Sequence, residues 1–210
     1  MSDEIYTVGH SNHTGERFVE LLRAHKVTAI ADVRSTPYSR RNPQFNRENL
    51  RAALKEHAIQ YAFLGKELGA RSEDECCYVN DKVQYALLAK TLLFQSGIER
   101  VVEGLRSHKI ALMCAEKDPL DCHRTILVAR TLAQAGFSIM HILSDGAVET
   151  HDDALGRLID RLGLGPEDMF RSRTISIEEA YERQGKRIAF ERVAHQRAAP
   201  RATSSETEIE

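Results

Sequence analysis

Residues 110–124 read IALMCAEKDPLDCHR, and the run divides into three parts. Ile110–Met113 is a short unbroken apolar stretch of strand length, bounded by polar residues. A charged loop containing Pro119 follows. Cys122–Ala135 then carries helical spacing and stops at Gly136. A buried strand, a polar loop and a helix make one βα unit. The same alternation recurs on both sides. Ile5–Val8 predicts a first strand, and Thr14–Lys26 a helix with Phe18, Leu21, Leu22 and His25 on one face. Ala29–Val33 and Ile59–Leu64 predict strands around a helix at Arg47–His57. Lys82–Gln95 and Gly97–His108 predict two more helices, Ser138–Leu143 a strand, and Asp152–Leu162 a last amphipathic helix. Strictly alternating elements give a mostly parallel sheet with helices on both faces, hence a three-layer α/β sandwich of about five strands. That is too few strands for an eight-stranded barrel, and no internal repeat is evident. Residues 1–170 form the expected single domain. Residues 171–210 form a C-terminal extension, locally basic and poor in apolar residues, that is expected to be largely disordered.

Composition narrows the function classes. Among 210 residues, 29 basic against 31 acidic side chains give a formal charge of −2, which excludes a globally basic nucleic-acid coat. No apolar run reaches membrane-spanning length, and MSDEIYTVGH lacks the pattern of a signal peptide. Four cysteines without such a signal fit free thiols in a reducing cytoplasm. The expectation is a cytoplasmic protein with no membrane partner.

Polar residues cluster where strands end. Strand one leads into His10 and Ser11, strand two into Asp32, Arg34 and Ser35, and strand three into Glu67. Strand four leads into Cys114, Glu116, Cys122, His123 and Arg124, and strand five into Asp145. Ligands of open parallel sheets bind at that carboxyl edge. Asp121 reads as the N-cap of the following helix, leaving the amides of Cys122, His123 and Arg124 free to attract an anion. A thiol there is expected to ionise readily. Cys114 or Cys122 is then a nucleophile, His123 or His10 a proton carrier and Arg124 an anion clamp, with Glu116 beside them. The same residues, Cys114, Cys122 and His123 with His10 as a fourth, are a candidate metal set. The seven-residue gap between the cysteines is wider than in structural zinc motifs. Either thiol also reads simply as a small buried hydrophobe. The pair Cys76–Cys77 reads as incidental, His141 as a core histidine, and His151 as either functional or near a helix cap.

The stretch DVRSTPYSRRNPQF, residues 32–45, is the second focus. Arg34, Arg40, Arg41, Arg47 and Arg51 oppose only Glu48, with Tyr38 and Phe45 interleaved. It reads as a phosphate-binding loop able to stack a base, against the plainer reading of a solvated arginine loop.

In this order YTVGHSN, ADVRSTPYSRRNPQFN, LGKELG, ALMCAEKDPLDCHR and HIL-x-DG resemble the bacterial domain-of-unknown-function family numbered 488, over about residues 4–150. The resemblance implies a cytoplasmic α/β domain and names no reaction. Relatives often carry an aromatic residue where this chain has Leu120, which implies a changed cleft wall. DVR at a strand end is also similar to rhodanese-like sulfurtransferases, but their cysteine-headed loop is absent. The sequence thus points to an enzyme acting on a phosphorylated or nucleotide-like anion through a cysteine, histidine and arginine site. A non-catalytic nucleotide- or nucleic-acid-binding module, using the arginine loop and basic tail, is the alternative. A metal-binding protein or scaffold stands third. The carboxylates Asp32, Glu67, Glu116 and Asp145 can serve as bases, metal ligands or arginine partners. No cofactor and no oligomeric state follows from the sequence.

Overall fold

The computed structural model describes residues 4–165 and 172–192. Its main sheet has six strands: β1 (Glu4–Gly9), β2 (Ala29–Asp32), β3 (Gln60–Phe63), β6 (Ile110–Cys114), β7 (Ser138–Ile142) and β8 (Val148–Thr150). Their spatial order is β3-β2-β6-β1-β7-β8. The first five run parallel, and β8 returns antiparallel to β7 at the edge. This is the expected α/β sandwich with one further edge strand, whose three residues are too few to show an alternation of their own.

Side chains that alternate along the strands divide the core. Tyr6, Val8, Ile30, Ala111 and Met113 face helices α1 (Gly15–Ala24) and α2 (Arg47–Glu56), whose Phe18, Leu22, Leu50 and Leu54 complete one cluster. Ile5, Ala31, Ile110, Leu112 and Cys114 face Phe94, Ile98 and Val101 of helix α5 (Leu92–Gly104) and Leu127, Val128 and Leu132 on the opposite side. The segment Arg124–Ala129 is wound as a π-helix with all six residues buried, and continues as α6 (Arg130–Gln134). Leu120 and Ile126 join a third cluster with α7 (His151–Arg161) and α8 (Arg173–Ile188).

Two expectations are corrected. The helix expected at Lys82–Gln95 is instead strand β5 (Lys82–Val83), paired with β4 (Tyr78–Val79), followed by one helical turn α4 (Tyr85–Leu88) and a break. Asn80 and Asp81 both take positive φ (51° and 61°), the geometry of a tight two-residue hairpin. Thr91 then accepts from the Phe94 amide at 3.2 Å and starts α5 anew, merging the second expected helix into it. The extension is also not disordered where it is described. Ser172 caps α8, which buries Ala180, Tyr181 and Gln184, so its apolar stripe is enough to dock it on α7. The rest of the expected basic tail lies outside the described residues.

The register positions the site. Gly9 pairs with Cys114 and Asp32 with Met113, so β1, β6 and β2 end at one level. The ladder continues past the strands, with His10 N donating to Cys114 O at 2.8 Å and Val33 N to Met113 O at 3.1 Å. The chain leaving β2 turns toward β3, and the chain leaving β6 toward β7. The diverging loops open a crevice between them, the usual ligand position in such sheets.

Candidate active site

A cleft of about 770 Å³ lies in that crevice. Its floor is Cys114, Glu116, Cys122 and His123, and Arg34, Arg41 and Arg71 line it with Ser35 and Tyr38. Tyr85, Ile188 and Phe190 also line it, and the Arg71 guanidinium lies over the Phe190 ring, 4.7 Å from its centroid.

The floor is built by the run that decides the fold. Cys114 ends β6, and the loop closes in a 3-10 turn at Pro119–Asp121. Asp121 does not cap the next helix. Asp118 accepts from the Leu120 amide at 3.0 Å, while the Asp121 carboxylate is drawn to Arg161 (3.1 Å) and Arg187. The cap position falls to Cys122, whose sulfur accepts from the Arg124 amide at 3.4 Å. Its own amide bonds Pro119 O, so the expected set of free amides is not present. His123 Nε2 faces the Val33 carbonyl at 3.0 Å and must carry a proton to bond it. Nδ1 is thereby turned to the sulfurs, 3.7 Å from Cys114 Sγ and 3.9 Å from Cys122 Sγ. Glu116 Oε2 is 2.9 Å from Cys122 Sγ.

Electrostatics separate the two thiols. Burial opposes ionisation of Cys122. The Cys114 thiol, the Arg124 guanidinium and His123 outweigh it and hold Cys122 well below the ordinary thiol range. Cys114, hydrogen-bonded to that sulfur and buried, is pushed well above it. Burial would lower His123, but the Cys122 sulfur and Glu116 raise it. Burial and the neighbouring sulfur push Glu116 up. Arg124 is fully buried beneath the floor rather than clamped across the cleft. Its Nη1 donates to Glu116 O at 2.8 Å, and Nε and Nη2 have no partner among the described residues. A Cβ on Gly9 would meet the Glu116 carbonyl at 1.9 Å and Arg124 Nη2 at 3.2 Å, so only glycine lets β1 pass this group.

His10 belongs to a different network. Its Nδ1 must donate to the Ser11 carbonyl (2.9 Å), leaving Nε2 to accept from Arg34 Nη1 (3.3 Å). Burial and the Arg34 charge lower it to about 4, so it is neutral at pH 7. Both nitrogens are engaged, and His10 is neither a proton carrier for the sulfurs nor a fourth metal ligand beside Cys114, Cys122 and His123. Ser11 takes φ 48°, a left-handed turn at the cleft mouth. Arg34 grips Asp32 with Nε to Oδ1 at 2.9 Å and Nη2 to Oδ2 at 2.6 Å, and also reaches Phe45 O. Tyr61 completes Asp32 at 2.7 Å. Asp32 therefore serves the framework and does not line the cleft.

The remaining expected residues scatter. Phe45 is buried and stacks on the His10 ring with centroids 4.3 Å apart, unavailable to a base. Tyr38 and Arg41 line the cleft, whereas Arg40 does not, and Arg47 lies over Phe63. Glu67 pairs with Arg100, and Asp145 accepts from the Ala147 amide in the β7–β8 turn. Leu120 is fully buried against α7 and α8 and forms no cleft wall. His141 and His151 are buried together in a chain running Thr7–His141–His151–Tyr181, with links of 2.8, 3.0 and 2.7 Å.

Three cleft residues have no sequence signal. Arg71 is placed by its amide bond to Ser35 Oγ and stacks over Phe190. Phe190 follows α8 in the stretch read as tail, and its carbonyl holds Val83 N at 2.9 Å. Tyr85 sits in the helical turn after the β4–β5 hairpin.

Among the described residues no helix is long and apolar enough to cross a membrane. No curated protein and no solved structure matches the chain. The family model described as domain of unknown function DUF488 matches residues 14–131, more than half of the chain and including all of the cleft floor, and the protein belongs to that family.

Proposed function

We propose that the protein is an enzyme acting on a small anionic substrate, phosphorylated or nucleotide-like, held in the cleft over the cysteine and histidine floor. One observation carries this reading: Arg34, Arg41 and Arg71 line the same cleft as the cluster of sulfur, imidazole and buried carboxyl groups formed by Cys114, Cys122, His123 and Glu116. The cleft volume is that of a small-molecule site. The Asp121 carboxylate on the lining is occupied by Arg161 and Arg187, so the lining favours an anion. Arg41 and Arg71 make no ion pair among the described residues and are free to bind phosphate oxygens; Arg34 keeps one Nη1 hydrogen beyond its four partners. Cys122, His123 and Glu116 then form the reacting centre, with the imidazole oriented by Val33 and the carboxyl at hydrogen-bond distance from the sulfur. Tyr85 offers a ring to the rest of the substrate, and Phe190 backs the Arg71 guanidinium.

Calorimetry with inorganic phosphate and a nucleoside monophosphate tests the anion claim. Binding should weaken at least about tenfold in Arg41→Gln/Arg71→Gln and fall with added salt. Equal binding in that double variant would sink it. Turnover of phosphorylated compounds that survives both Cys122→Ser and His123→Gln would remove the reacting centre from the reading.

A further inference from the structure

We infer that Cys114, Cys122 and His123 form a binding site for a zinc-class divalent ion, with three protein ligands and a fourth position open to the cleft. The two Sγ atoms and Nδ1 lie within 4.8 Å of one another, and all three residues are buried. Zinc bonds of about 2.3 Å to thiolate and about 2.0 Å to imidazole place tetrahedral neighbours about 3.5–3.8 Å apart. The observed sulfur–nitrogen separations of 3.7 and 3.9 Å are a few tenths of an ångström longer than the sulfur–nitrogen edge, a contraction that side-chain rotation supplies.

The surroundings support ligation. His123 donates Nε2–H to a backbone carbonyl, the contact that orients a metal-bound imidazole and frees Nδ1. The Arg124 amide points at Cys122 Sγ, stabilising a bound thiolate. Cys122 and Cys114 are only 1% and 3% exposed, which suits ligands better than a nucleophile that must meet its substrate. Two thiolates cancel the charge of a divalent ion, which reduces the cost of burying the group. The wide gap between the cysteines is no obstacle, because the end of β6 and the turn at Pro119–Asp121 bring them together. No fourth histidine, cysteine or carboxylate joins the group among the described residues. Three protein ligands with an open position are the pattern of a catalytic rather than a structural zinc site. This deepens the enzyme reading by making the sulfurs ligands, and it rests on that reading only for the substrate reaching the open position.

The full chain, purified reduced and without chelator, should carry about one zinc per molecule by mass spectrometry. After chelation, Co²⁺ should produce thiolate-to-cobalt charge-transfer absorption with tetrahedral visible bands, both abolished by zinc. Cys114→Ser, Cys122→Ser and His123→Gln should each weaken zinc binding at least about tenfold. Cys76→Ser, on an exposed loop, should leave it unchanged. If a variant fails to fold, the wild-type cobalt spectrum decides. Folded, reduced wild type that takes up neither metal, or a cobalt spectrum without the thiolate band, overturns the site. So does a Cys114–Cys122 disulfide that forms in preference to zinc uptake. Phosphate titration with and without zinc separates the two claims. Zinc uptake without phosphate binding keeps the metal site and removes the anion reading, and the reverse result removes the metal site alone.

Discussion

Arg34 and Arg124 lie at the same sheet edge, both buried, and are treated in opposite ways. Arg34 meets both oxygens of Asp32, the Phe45 carbonyl and His10, and Asp32 in turn meets Tyr61. Arg124 makes one side-chain bond, to the Glu116 carbonyl, and leaves two nitrogens unmatched. A buried charge with four of its five N–H donors matched builds framework. One that is left incomplete beside two sulfurs is a charge kept at some cost to stability, the pattern expected of functional groups.

The largest test of this contrast removes Arg34. Arg34→Met strands the Asp32 carboxylate, which has no solvent exposure, and should destabilise the fold by about 3–5 kcal/mol in urea unfolding. A loss below about 1 kcal/mol would show that the saturated network is not framework.

Acid is the next probe. His10 and His151 have folded-state pKa values lowered from 6.5 to about 4 by burial. Between these limits the unfolded chain binds more protons, so stability is complete above pH 6.5 and declines as pH falls toward 4. Each histidine contributes up to about 3 kcal/mol to that slope. Urea midpoints at several pH values should fall across this window, and His151→Gln should flatten the curve. A profile level from pH 7 to 4.5 would refute the assignment.

Gly9→Ala strikes the other region. Its Cβ would collide with the Glu116 carbonyl and crowd Arg124, so a loss of about 1–3 kcal/mol is expected by thermal melting. An unchanged melting temperature would mean that β1 and the Glu116 loop separate easily. The smallest effect should come from Arg124→Met. With one side-chain bond lost and a buried charge removed, stability should change by no more than about 1 kcal/mol. A cost as large as that of Arg34→Met would erase the distinction between the two arginines.

The contrast also explains what the sequence could reveal. Strands such as Ile110–Cys114 are legible because they are buried on both faces and read as apolar runs. The crowding of His10, Arg34, Cys114 and Cys122 at one edge follows from their places just after such runs. Their roles do not. Nothing local shows that His10 spends its two nitrogens on Ser11 and Arg34, or that Phe45 stacks beneath it. The apolar spacing of Lys82–Gln95 does not become a helix because the Asn80–Asp81 turn seats Lys82–Val83 as the second strand of a hairpin. Arg71 and Phe190 reach the cleft only through tertiary contacts, one on Ser35 and the other through β5, and no spacing encodes them.

The π-helix between Arg124 and Ala129 has a consequence for tolerance to change. A π segment holds one residue more than the α-helix it interrupts, so it behaves as an insertion absorbed without a loop. Deleting one residue from 126–129 would let the helix rewind into regular α geometry, and the chain could still fold. A π segment and an α segment one residue shorter turn through nearly the same angle, so the turn carrying Cys122, His123 and Arg124 would keep its phase relative to α6. Such a protein should keep both its sheet and its cleft floor, whereas the same deletion inside the regular helix α5 would rotate everything beyond it by about 100°. The extra residue is therefore spare length, and this stretch is where the helix should best tolerate a deletion.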